Sequence, residues 1–301
     1  MKPVYKYMSK VAAISFLKDP WIRVTPKPAL NDPFECSPTQ QTKDRIVELF
    51  KGEKSLSEHP DLIIHNFEGV MDYFGIVSFS KNFNDLLMWS HYADSHKGVM
   101  LEFDLDEIHE TTRLYSDKIQ GNVNYSDFRA FKGAFKNLNE VRTYYFLTKS
   151  MPWKKEEEYR LVLPVNLMMK VAFDLHSEGS INDMKKLGFN YTNSTDNPRF
   201  TEKFHLTHLS PNQCDLDKLF DVWLNSSETN TQFYQYVGYK ALKRIYLGAN
   251  SNIENFKSLF DILSEDSDPY RPFKSALTEQ YLGIYHMKLD LNKYELVEQS
   301  L

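Results

Sequence analysis

The chain has 301 residues, is 42% hydrophobic and 26% charged, and carries a formal net charge of -5. Such a chain can bury a sizeable core as one large domain or two small ones, and its charge gives no global field toward nucleic acid or an anionic membrane. Two cysteines, Cys36 and Cys214, lie far apart and outside any paired metal-ligand spacing, which argues against a disulfide scaffold and fits a reducing compartment. The opening MKPVYKYMSK lacks the apolar centre of a signal peptide and no run of eighteen apolar residues occurs, so a soluble cytoplasmic protein without membrane contact is expected.

In chain order, PVYKYM reads as a short strand, KVAAISFLKD as a helix with Val11, Ile14 and Leu17 at helical spacing, and WIRVTP as a strand closed by Pro26. The loop KPALNDPFE follows, then polar helices over 42–52 and 60–73, then the strand FGIVSFS over 74–80 with Ile76, Ser78 and Ser80 on one face. NDLLMWSHYADSHKG reads as a helix with Asn84 or Asp85 as N-cap and Gly98 just past its end. GVMLEFDL alternates, placing Val99, Leu101, Phe103 and Leu105 inward. A strand IQGNVNY, a helix around 138–150 and a strand over about 157–165 complete the first half.

Residues 176–232 are polar and without sustained periodicity, and the segment 170–238 reads as an insertion or helical lobe. Order resumes with the strand LKRIYLGAN, the helix IENFKSLFDIL and a final strand YLGIYHMKL. The fold expected is a single α+β domain over 1–301, with a mixed, partly antiparallel sheet and flanking helices.

The stretch PWKKEEEYRLVL runs three glutamates into an apolar strand, although glutamate is a poor strand former and costly to bury. In an extended strand Glu156, Glu158 and Arg160 share one face, and Tyr159, Leu161 and Leu163 the other. Acids two residues apart lie roughly 7 Å from each other, a spacing at which both can serve one substrate whose reaction develops positive charge, as in glycosidic bond cleavage. The competing reading is an edge strand with a solvated face and a weak Glu-Arg pair. Ser78 and Ser80 can bond a catalytic neighbour or merely pair across the sheet. ALNDPFE joins an Asx-Pro turn signal to Asp32 and Glu35, and reads as a tight turn. MWSHYADSHKG gathers Trp89, His91, Tyr92 and His96; the five-residue interval between the histidines splays them on a helix and disfavours a metal. His205, His208 and Cys214 form a loose cluster with no recognisable spacing. Phosphate-binding glycine loops, nucleophile elbows, HExxH and paired CxxC motifs do not occur.

Taken in order, VYKYM, NDPFE, VSFS, LLMWSHYADSHKGVMLEFD, VNYS, TKSMPWKKEEEYRLV and IYLGAN resemble a bacterial family known as the domain of unknown function 2971, from residue 4 to about 165 and again near 240. That family name carries no activity. The chain is also similar, motif by motif, to toxin-type ADP-ribosyltransferases: Lys6 between Tyr5 and Tyr7 on a first strand, Ser78 and Ser80 on a second, then Glu156 and Glu158. This resemblance implies an ADP-ribosyltransferase-like core, NAD as substrate, and Glu158 as the acid that holds the ribose hydroxyl and stabilises the oxocarbenium ion. Aromatic residues would stack the nicotinamide, and Lys6 or Arg160 would meet the diphosphate. The first strand departs from that pattern in lacking Arg or His.

The expectation is therefore an enzyme acting on NAD and a macromolecular acceptor, protein or nucleic acid, as a toxin or phage-defence effector with a cognate antitoxin or defence partner. Glu158, Glu156, Tyr92 and His91 are the candidate catalytic residues. Tyr5, Lys6, Tyr7, Asn31, Asp32, Ser78, Ser80, Trp89 and Arg160 are the candidate cofactor-binding residues, and Trp153 a wall of the site. Two rivals stand beside it: a binding module in which Trp89, His91, Tyr92 and Asn31 recognise a nucleotide or signal without turnover, and a nuclease in which Asp32, Glu35, Glu156 and Glu158 gather Mg²⁺.

Overall fold

Strand β3 (Phe74–Ser80) is the axis of the fold in the computed structural model, which describes residues 2–52, 59–168, 170–189, 204–208, 215–252 and 283–301. Along one edge β3 pairs over its whole length with β8 (Glu158–Pro164), from Phe74 opposite Pro164 to Ser80 opposite Glu158. Its other edge is divided. There β2 (Trp21–Pro26) meets it only at Gly75 and Ile76, and β1 (Pro3–Met8) only at Ser80. Two arms extend from this fork. One runs from β2 through β11 (Gln232–Tyr236) and β9 (Lys170–Asp174) to β10 (Phe204–His208). The other runs from β1 through β4 (Val99–Asp104), β12 (Leu242–Leu247) and β13 (Gly283–Leu289) to β14 (Leu296–Ser300). β5 (Ile119–Asn122) flanks β8, and β6 (Asn124–Ser126) with β7 (Thr148–Ser150) forms a small separate sheet. In the large sheet only β12 and β13 run parallel among the described residues. The architecture is thus α+β, with a mostly antiparallel open sheet and helices.

The period-2 alternation of β3 and β8 divides their side chains between two cores. Val77, Phe79, Leu161 and Leu163 enter the largest cluster, with Phe16, Leu101, Phe103 and Trp223. Phe74, Ile76 and Val162 face a second cluster, made by α2 (Gln40–Glu48), α3 (Pro60–Asp72) and α6 (Leu138–Phe146) through Ile46, Phe67 and Phe146. Further along that second face the side chains become Ser78, Ser80, Arg160 and Glu158, so the apolar layer gives way to polar groups beside the fork. Gly75 is required there: a Cβ would lie 2.4 Å from Val24 Cγ1 and 2.6 Å from the ring of Trp223.

Several elements differ from the sequence reading. In α1 (Lys10–Lys18), capped by the Ser9 hydroxyl, Ala13, Phe16 and Leu17 are buried while Val11 is 71% exposed. The helix expected over 84–98 is α4 (Leu86–Tyr92), capped by Asp85; Asp94, Ser95 and His96 then turn left-handed, and a run of three such residues cannot continue a helix. β4 is buried on both faces rather than alternating, and Leu105 starts α5 (Leu105–Thr111). IQGNVNY divides into β5 and β6, and the helix expected to reach 150 stops at Phe146, where β7 follows. The segment 170–238 contributes β9, β10 and β11 to the large sheet, with α7 (Glu178–Lys186) and α8 (Leu216–Thr229) packed on them, so it is woven into the first arm and is not a helical lobe. The helix expected at IENFKSLFDIL, and Cys214, lie outside the described residues. Among the described residues no helix is long and apolar enough to cross a membrane.

Candidate functional site

Where β1 and β2 part along β3, a cavity of about 220 Å³ opens. β1 lines it with Tyr5, Lys6 and Tyr7, and β3 with Ser78 and Ser80. Asn31 and Glu35 reach it from the loop after β2, and Tyr92 from α4. Lys149 of β7 joins Glu156, Glu158 and Arg160 at the remaining wall. Lys6 Nζ donates to the Ser78 carbonyl at 2.7 Å, reaching across the region where β1 and β3 are no longer paired.

The three glutamates arrive by different local structures. Residues 151–156 form a 3-10 turn, Glu157 is left-handed (φ 44°) and exposed, and β8 begins at Glu158. The expected continuous strand over 156–160 is therefore broken at Glu157, yet Glu156 and Glu158 both point inward and are buried. Arg160, 1% exposed, donates from Nε to Glu158 Oε2 at 2.7 Å, from Nη2 to Glu35 Oε2 at 2.7 Å and from Nη1 to the Phe146 carbonyl at 2.8 Å. Lys149 Nζ stands 2.5 Å from Glu156 Oε2, 3.0 Å from Glu35 Oε1 and 3.5 Å from Glu158 Oε1, with the Trp153 ring 4.8 Å from the same nitrogen. Buried charges of one sign are costly alone, and here three carboxylates interleave with two cations.

The network treats the two neighbouring acids differently. Burial acts to raise the Glu158 carboxyl, but Arg160, Lys149 and Lys6 outweigh it and hold the group below its ordinary value. Burial, against Lys149 and with the help of Glu158, raises Glu156 above its ordinary value. Glu156 accepts from the Tyr92 hydroxyl, which itself accepts from Asn31 Nδ2 at 2.8 Å. Burial and Glu156 push the Tyr92 phenol up, so it remains a donor. Burial brings the Lys6 ammonium down to about 8. One carboxylate kept ionised beside one that retains a proton more readily is an arrangement suited to divided acid-base roles.

Other expected site residues lie off the cavity wall or are already engaged. Trp89 is fully buried and packs edge-on against Tyr7 at 5.3 Å, supporting β1 from behind, so it does not reach the cavity to stack a ligand. His91 is exposed on the outer side of α4 and is absent from the cavity wall. Asp32 is also off the wall: its carboxylate accepts from Ser150 Oγ at 2.6 Å and the Phe34 amide at 2.9 Å, tying the 31–35 loop to β7. Arg160 has all its nitrogens engaged and acts as a positioning residue, so it is not available to a diphosphate. Glu35, read from sequence as part of a tight turn, is in the centre of the charge network. Lys149 and Tyr125, whose hydroxyl accepts from the Glu158 amide at 2.8 Å, were not anticipated. Lys149 carried one signal, a lysine two positions before Met-Pro and upstream of the glutamate run, but only the 3-10 turn brings it back onto both acids.

Residues 88–161 match the family model described as Protein of unknown function (DUF2971). The matched span starts in α4 and ends on β8, and it includes Tyr92, Lys149, Glu156, Glu158 and Arg160; the motifs from VYKYM to VSFS and IYLGAN lie beyond it. No curated protein and no solved structure matches the chain.

Proposed function

We propose that the cleft in the fork is the catalytic site of an ADP-ribosyltransferase-like enzyme that cleaves the nicotinamide-ribose bond of NAD and passes ADP-ribose to a macromolecular acceptor. The observation that carries this reading is the asymmetry of Glu158, a residue of the cavity wall: Oε2 is held by Arg160, while among the described residues Oε1 has the 3.5 Å approach of Lys149 alone. A carboxylate fixed by one oxygen and kept ionised is a preorganised partner for a ribose hydroxyl and for the positive charge that develops as the bond breaks. At about 220 Å³ the cavity is smaller than the roughly 300–1,000 Å³ of sites that enclose a drug-sized ligand, so it suits the nicotinamide-ribose end alone. Tyr5 and Tyr92 supply aromatic surface, and Glu156 with Tyr92 a proton-bearing pair. The test is nicotinamide release from NAD by the purified chain; absence of release with any acceptor fraction, alongside unaltered melting in NAD, removes the reading.

A second reading is favoured by a different observation. Glu35, Glu156 and Glu158 each have a cationic partner, Lys149 or Arg160, which also opposes a divalent metal among them and so weighs against the nuclease alternative. A network whose charges are paired in this way suits a module that recognises a nucleotide or signal without turnover. A rise in melting temperature with NAD or nucleotides, without nicotinamide release, selects this reading over the first.

A further inference from the structure

A second cavity lies away from the fork, on the far side of the second core, and measures about 690 Å³. Its floor is apolar: Ile63, Phe67, Val70 and Met71 from α3, Phe74 at the start of β3, and Leu167 beyond β8. Val70 is 52% exposed, so the helix presents apolar surface at the opening and not only below it. The volume falls within the roughly 300–1,000 Å³ of sites that bury small ligands, and such sites combine apolar walls with few polar groups that fix orientation.

The orienting group here is Arg142 of α6. Its guanidinium lies over the Phe74 ring at 4.8 Å, and Nη2 donates to the Asp117 carbonyl at 3.0 Å. Its Nε is sealed from solvent and has no hydrogen-bond partner among the described residues. A ligand therefore meets the guanidinium at its Nη edge, where the bond to the Asp117 carbonyl is exposed, and a permanent cation there carries donors for an anion. Asp117 is the single acid in the cavity lining and is exposed, where water screens its charge. Asn66, Asn139 and Asn166 add neutral amides.

We infer that this cavity is a binding site for an amphiphilic anion, an apolar body with a carboxylate head, in which the head accepts from Arg142 and the body lies on α3 and Phe74. The inference is independent of NAD chemistry at the fork. A charge-assisted hydrogen bond supplies the selectivity, and an apolar tail of moderate length supplies the burial.

The experiment is calorimetric titration of the full chain with sodium decanoate, 1-decanol and decyltrimethylammonium, below the concentrations at which they aggregate. Decanoate is expected to bind with one site per chain and more tightly than the other two. Arg142→Met, which keeps an apolar side chain over Phe74 but removes every donor, is expected to weaken decanoate roughly tenfold or more and to leave decanol unchanged. Val70→Trp, at an exposed position of the opening, is expected to abolish binding of decanoate while the melting transition stays cooperative. Failure of decanoate to bind the parent chain overturns the inference. So does equal binding of decanoate and decanol, or decanoate binding that survives Val70→Trp in a folded protein.

Discussion

Nε and Nη2 of Arg160 converge on a single oxygen of Glu158, Oε2, at 2.7 and 2.6 Å. The two residues are neighbours on one face of β8, so the strand itself fixes the pair and the second carboxylate oxygen is spared. Glu158→Gln retains shape but removes the charge, and under the proposed function turnover of NAD should fall by roughly 10²–10³. Glu157→Gln is the internal control, because that side chain is exposed on a left-handed residue and touches neither acid network. Nicotinamide release from each variant, with melting as a folding check, measures the contrast; equal activities would take the catalytic role from Glu158.

Lys6 gives a pH signature of its own. Its folded pKa is lowered to about 8 from 10.5, mainly by burial, so between those values the unfolded chain binds more protons than the native one. Stability contributed by this group is therefore present above the unfolded value and lost as pH falls through about 8. The stability difference between parent and Lys6→Met should grow in favour of the parent from pH 8 toward 10, and urea unfolding across that range measures it. A constant difference would show that the ammonium is not desolvated in the native state.

Asp32 is expected to act on stability and not on ligand binding. Burial acts to raise its carboxyl, but Ser150 and the Phe34 amide hold it below its ordinary value. Its contribution is accordingly full above the unfolded carboxylate range and declines as pH falls through the folded pKa. Asp32→Ala should cost about 1–3 kcal/mol at neutral pH, read by chemical denaturation, and should leave any NAD affinity of the proposed site little changed.

The two tryptophans near the site should separate cleanly. Trp89, with no exposed surface, should cost about 3–5 kcal/mol on change to Ala. Trp153 is only half-buried and contributes its face to Lys149, so Trp153→Ala should cost about 1–2 kcal/mol. Denaturation midpoints of the two variants test the order; a larger loss for Trp153 would place it in the core.

Legibility along the chain followed the local strength of pattern. β1, β2, β3 and β8 were readable because apolar alternation and flanking Gly or Pro are local signals, and the face shared by Ser78, Ser80, Glu158 and Arg160 follows from period 2 alone. The separation of Trp89 and His91 from the cleft was not readable: a helix of seven residues offers too few turns to define its buried face, and the left-handed run after it carries no glycine until Gly98. Lys149 was hidden for another reason. Its relation to Glu35 joins residues more than a hundred positions apart, and its relation to Glu156 depends on a 3-10 turn that helical and strand periods both miss. The strands of 170–238 were hidden because β9 and β11 are short, β11 and the stretch between them are polar, and their strand character comes from pairing with β2 and with each other.

The fork in β3 has a thermodynamic consequence. The cleft lies between strands β1, β3 and β8, each held by pairing to a neighbour, so much of its shape exists before any ligand the proposed site would take arrives. Entry then costs little ordering of the chain, and the entropy lost on binding belongs mostly to the ligand. Preorganisation of this kind places selectivity in residence time: poorly fitting ligands enter about as quickly as good ones and leave sooner.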